Sequence, residues 1–126
     1  MIDKGKVALL DIRLLENELL DEFSYWSRLL KWIPGWHYDL DMSWLLKKID
    51  SLDLKKGSII LDAGAGQGIM QFILASRGFN VVSLDFSERK IPDVVKNKFN
   101  IVLHDQKSLD YKYSYQNFIQ FESENF

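Results

Sequence analysis

Ile59-Ile60-Leu61-Asp62-Ala63-Gly64-Ala65-Gly66-Gln67-Gly68 is the stretch that decides how the rest of the chain is read. Ile59, Ile60 and Leu61 form a short, continuous, β-branched-rich apolar run, which predicts a strand covered on both faces. An acid ends the run, and glycines follow at alternate positions, 64, 66 and 68. Ile69-Met70-Gln71-Phe72-Ile73-Leu74-Ala75 then runs without a breaker to Arg77 and Gly78, a helix with a cation near its end and a glycine to stop it. Strand, glycine loop and helix together make the first half of a nucleotide-binding βαβ unit. Glycine serves where backbone turns sharply or where a ligand must approach without a Cβ in the way.

The pattern Asp62-x-Gly64-x-Gly66-x-Gly68 after an apolar strand resembles the first motif of the class I S-adenosylmethionine-dependent methyltransferases. A dinucleotide-binding loop reads Gly-x-Gly-x-x-Gly, which would put its third glycine at 69, where this chain has Ile69. A pyrophosphate would also be repelled by Asp62, whereas a sulfonium ligand carries no phosphate. The resemblance implies S-adenosylmethionine as cofactor, with Asp62, Gly64, Ala65, Gly66 and Gly68 shaping its loop. Asn80 to Asp85 reads as a second apolar strand ending in an acid, 21 residues after Gly64 (85 − 64), where it can accept from both ribose hydroxyls. The resemblance has Asp85 with Phe86 clasp the ribose and the adenine edge. The same acid suits NAD, so it supports the fold without separating the ligands. A third strand is predicted over 100–105, and in the resembled family Asp105 and Gln106 would touch the adenine amine.

A fourth strand is expected at Asn117-Phe118-Ile119-Gln120-Phe121. Here the chain departs from the family. Gln116-Asn117 stands where many small-molecule methyltransferases carry a hydrophobic-Asp pair, Glu122-Ser123-Glu124-Asn125 replaces an acid followed closely by His, and the Asn/Asp-Pro-Pro-aromatic signature is missing. The implied fold is α/β: a Rossmann-like three-layer sandwich with a mostly parallel sheet in the order 3-2-1-4, the first half of a seven-stranded family sheet, preceded by N-terminal helices. One domain spans 1–126, with 1–50 as a helical lid or packing region and 57–126 as the cofactor-binding half.

Composition bounds these readings. The chain has 126 residues, 47% of them apolar and 13% aromatic, enough for one packed core. Sixteen basic residues against eighteen acidic ones suggest no polyanion-binding surface, so nucleic acid is not an expected partner. Without cysteine there is neither a disulfide framework nor a thiolate metal site. No apolar run approaches membrane-spanning length and no signal-peptide layout opens the chain, so a cytoplasmic location away from membranes is expected.

Residues 6–23 read as an amphipathic helix, with Ala8, Ile12, Leu15 and Leu19 on one side and Asp11, Arg13, Glu16 and Glu18 on the other. Residues 24–46 hold all four tryptophans, 26, 32, 36 and 44, and Pro34-Gly35 divides the stretch into two short helices. Asp39 or Asp41 can cap the second, which runs on through Met42 to Ile49. The tryptophans serve first as packing anchors. A lid is the functional alternative, with Tyr25, Trp36, His37 and Tyr38 lining it. His37 and His104 lack a clustered acid, so no metal site is expected. Pro92 should shorten or break the helix between the second and third strands.

A sheet that stopped at the fourth strand would leave unpaired N–H and C=O groups at its edge, an invitation to association. The expected partners are a small-molecule acceptor and either a second copy of the chain or a second polypeptide that completes the sheet. The first functional expectation is an S-adenosylmethionine-dependent methyltransferase, or donor-binding domain, acting on a small molecule. A truncated, inactive module that binds a partner or completes a split enzyme is the second, and an NAD-type dinucleotide domain the third. No residue receives a catalytic role, because the acceptor side belongs to the half of the family fold beyond these strands.

Overall fold

A computed structural model describes residues 9–33, 35, 38–85, 90–105 and 117–122, with side chains described up to 102. In chain order, a 3-10 turn at Ile12–Leu14 precedes α1 (Asn17–Leu30), α2 (Tyr38–Ser51), β1 (Ile59–Ala63) and α3 (Met70–Ser76). β2 (Asn80–Asp85), α4 (Asp93–Lys96), β3 (Asn100–Asp105) and β4 (Asn117–Glu122) complete it.

The first helix lies further along the chain than its amphipathic pattern predicts. Leu9 and Ile12 are exposed, and Asp11 accepts hydrogen bonds from Arg13, which closes a 3-10 turn in place of a helical start. The Arg13 side chain, with its backbone N–H second, holds the Asp11 carboxyl below its ordinary range. What positions α1 is its aromatic register. Phe23 and Trp26 are buried, and Trp26 stacks on Phe72 of α3 and on Phe99, with ring centroids 5.7 Å apart in both cases. The helix ends at Lys31, which takes up the left-handed conformation at φ 51°. α2 begins at Tyr38, ahead of both expected caps, so Asp39 and Asp41 lie inside its first turn, where the helix dipole favours acids.

β1 and β2 run parallel, with Ile60 opposite Val81 and Asp62 opposite Ser83. Beyond them the sheet departs from expectation. Its order is β1-β2-β4-β3, not 3-2-1-4, because β4 inserts antiparallel between β2 and β3 and leaves β1 at an edge. Two of the three pairings are therefore antiparallel, so the sheet is mixed rather than mostly parallel. Strand boundaries follow local pattern, but neighbours are fixed by long-range pairing that no local pattern records.

One face of this sheet is covered. Ile60, Val81 and Ile101 belong to or pack against a single core with Phe23, Trp26, Met42, Leu46, Phe72, Ile73 and Val95. The other face is open: Ile59 is 76% exposed and Leu61 62%, and Val102 is exposed as well. β1 is thus not covered on both faces, and the described helices form one layer rather than the two of a three-layer sandwich. Arg77, at the end of α3, clasps the helices together through Glu22 of α1 and Asp50 of α2, both at 3.2 Å. Gly78 at φ 92° then turns the chain into β2, as the sequence predicts. Pro92 precedes the single turn of α4, also as predicted.

Gln71 is the discordant residue of this core. It is 1% exposed, and neither its amide nitrogen nor its oxygen meets a hydrogen-bonding partner among the described residues. A buried amide left in that state costs on the order of 1–3 kcal/mol. Gln71→Met keeps the length of the side chain and removes that cost, so urea unfolding should show a gain of roughly 1–2 kcal/mol. A loss of stability would show that the amide is hydrogen-bonded.

Candidate functional site

Both ends of the 64–68 loop are fixed by burial. Asp62 is half-buried, and its register beside Ser83 places it on the helix-covered face of the sheet. At the other end Ile69, 0% exposed, anchors the start of α3. Between them the backbone turns back onto the tip of β2. The Gly64 and Ala65 N–H groups both donate to the Leu84 carbonyl, at 2.7 and 3.2 Å. Gly66 N–H donates to Asp85 Oδ2 at 2.8 Å. Gly68 N–H donates to the Ala65 carbonyl at 3.3 Å.

The three glycines serve two different needs. Gly64 and Gly66 take φ of 75° and 53°, the left-handed region that other residues enter only under strain. Gly68 does not, and instead sits in close packing: a β-carbon there would stand 3.4 Å from the Ala65 carbonyl oxygen and 3.4 Å from the Tyr38 hydroxyl, at the near limit of ordinary contact. On the side where Gly64 would carry its β-carbon, no atom of the described residues lies within 4 Å. At Gly66 the nearest side-chain atom to that position is Asp85 Oδ2, at 4.0 Å. The result is a strip of bare main chain bordered by one carboxylate.

The direction of the N–H groups limits what the strip can bind. Loops that cradle phosphate point several backbone donors outward at the anion. Here the donors of Gly64, Ala65, Gly66 and Gly68 all turn inward, onto Leu84, Asp85 and Ala65. The surface offered to a ligand is apolar Cα–H edge with an acceptor beside it. It suits an uncharged, flat group carrying hydroxyls better than a pyrophosphate.

Of the residues singled out in the sequence, Asp62, Gly64, Ala65, Gly66, Gly68 and Asp85 come together at this loop. Phe86 and Gln106 lie outside the described residues, as do Trp36 and His37. Asp105 ends β3 as predicted, but β4 separates it from Asp85: both pair in register with Asn117, from opposite sides. Two strand spacings, about 10 Å, lie between these acids in place of one. Tyr25 also lies elsewhere. With Trp26, Ser76, Lys98 and Phe99 it lines a groove of about 610 Å³ at the end of the sheet where β2 and β3 begin, opposite the loop. Tyr38 alone among the described lid candidates reaches the loop. Its neighbour across the turn is Trp32, at 5.1 Å in edge-to-face geometry. The approach of its hydroxyl toward Gly68 had no signal in the sequence, since it depends on where α2 docks. Among the described residues no cluster of three His, Cys, Asp or Glu could hold a metal ion, and no helix is long and apolar enough to cross a membrane.

No family model, curated protein or solved structure matches this chain.

Proposed function

We propose that the glycine loop and Asp85 form an adenosine-binding site for S-adenosylmethionine, in a methyltransferase-like domain of Rossmann type serving methyl transfer to a small molecule. One observation carries the reading: the Gly64, Ala65, Gly66 and Gly68 amides are used internally while no described atom closes the space over Gly64, beside the carboxylate at the tip of β2. A nucleoside laid on that strip meets bare backbone with its ring and an acceptor with its hydroxyls. The sulfonium methyl is already activated, so a protein of this kind contributes mainly positioning and exclusion of water. The dinucleotide alternative is less well supported, because its pyrophosphate needs outward-facing donors.

Asp85 has two tasks in this reading, and two substitutions separate them. Asp85→Asn retains an oxygen that accepts from Gly66 N–H but gives up the charge that strengthens bonds from the ribose hydroxyls. Calorimetric titration should show S-adenosylmethionine bound roughly 10-fold more weakly, with stability little changed. Asp85→Ala should lower both affinity and stability. Unchanged affinity in both variants would remove Asp85 from the site.

The second reading, a methyltransferase-fold module that acts by assembly, draws on β1. That strand is an edge with exposed Ile59 and Leu61 on the open face, and it carries none of the proline or lysine that usually blunts such edges. We propose that the chain self-associates along it. Light scattering should give a dimer at micromolar concentration, and Leu61→Lys should give a monomer. A wild-type monomer at that concentration would count against association.

A further inference from the structure

We propose that Tyr38 is a positioning residue at this site, its hydroxyl donating a hydrogen bond to the carboxylate of the ligand's amino-acid arm; the inference rests on the S-adenosylmethionine reading above. Tyr38 is the first residue of α2, and its N–H donates to the Gly35 carbonyl at 3.2 Å, which closes the turn between the two N-terminal helices. Its ring stands edge-on to Trp32, with centroids 5.1 Å apart. That contact, and the approach of its Cδ2 to Gly35, orient the phenol. The hydroxyl comes to rest over the junction of the loop with α3, 3.4 Å from the point that a β-carbon on Gly68 would occupy. Tyr38 as a whole residue is 39% exposed.

The geometry assigns the two ends of the ligand. Asp85 lies at Gly66, in the middle of the strip, and is an acceptor, so it takes the ribose hydroxyls. Gly66 and Gly68 are two residues apart, a span of at most about 7 Å, comparable with an extended amino-acid arm. A ligand held at Asp85 and running along the strip toward α3 therefore brings that arm beneath Tyr38. The N–H groups of Gly64, Ala65, Gly66 and Gly68 are turned inward and offer nothing to a carboxylate arriving there. The Tyr38 hydroxyl is a donor at that place.

The test compares two ligands on two proteins. S-adenosylmethionine carries the amino-acid arm; 5′-methylthioadenosine has the same nucleoside and sulfur without it. Tyr38→Phe keeps the ring, its Trp32 contact and the fold, and removes only the hydroxyl. Calorimetry should show a roughly tenfold loss of affinity for S-adenosylmethionine, as expected for a hydrogen bond to a charged group, with methylthioadenosine unaffected. Equal affinities for both proteins, or an equal loss for both ligands, would overturn the role of Tyr38 while leaving the site intact. If the wild-type chain binds neither ligand, the adenosine reading itself fails and takes this inference with it. Circular dichroism melting of Tyr38→Phe, unchanged from wild type, excludes a general loss of fold as the cause.

Discussion

Phe72→Ala should cost about 3–5 kcal/mol, a large part of the stability of a domain this size. Phe72 is 0% exposed and sits where three parts of the chain meet. It stacks on Trp26 of α1 at 5.7 Å and lies 6.3 Å from Phe99, which leads into β3. Removing the ring leaves a cavity bounded by two large aromatics that cannot close it without pulling α1 away from the sheet. Only one face of the sheet is covered by described helices, so this aromatic stack holds much of the available core. Urea unfolding followed by circular dichroism measures the loss. Val94→Ala, at a half-exposed position on α4, serves as the comparison and should change stability by less than about 0.5 kcal/mol. A Phe72→Ala variant within about 1 kcal/mol of wild type would mean that α1 does not dock as described.

Gly64→Val should abolish the proposed ligand binding at a smaller cost in stability. Two effects act at this position. A β-branched residue at φ 75° is strained by about 1–3 kcal/mol. Its side chain would also fill the open space over the strip, where the nucleoside is placed. Gly57→Val isolates the first effect. Gly57 has φ 82° and likewise no described atom within 4 Å of its missing β-carbon, but it lies in the turn before β1, at the other end of the strand. Both variants should melt at similarly lowered temperatures, while only Gly64→Val loses affinity, by more than about 100-fold. A Gly64→Val protein that still bound S-adenosylmethionine would place the ligand elsewhere.

Much of the local structure was written plainly in the chain. β2 and β3 occupy 80–85 and 100–105 as predicted, because each is an apolar run opened by asparagine and closed by aspartate. The glycine spacing likewise announced the loop, since Gly64 and Gly66 take the positive φ that other residues enter only under strain. What failed was of longer range. The charged face of residues 9–16 imitates an amphipathic helix (residues 6–8 of that expectation lie outside the described ones), yet the Trp26–Phe72–Phe99 stack sets the helix register further on. The run Ile59 to Leu61 imitates a doubly covered strand, yet β4 pairs beside β2 and β1 is left at the edge. The same insertion separates Asp85 from Asp105, so the proposed site draws on the loop and β2 but not on the tip of β3. Tyr38 completes the picture from outside the motif, through a docking geometry that no spacing rule describes.

The most direct test of the ligand site is an amide NMR titration of the wild-type chain with S-adenosylmethionine. The account predicts that the largest shifts map to the backbone of Gly64 to Gly68 and to Asp85, saturating at micromolar ligand, and that NADH leaves them in place. No shifts at saturating S-adenosylmethionine, or shifts confined to the Tyr25–Lys98 groove at the other end of the sheet, would contradict it.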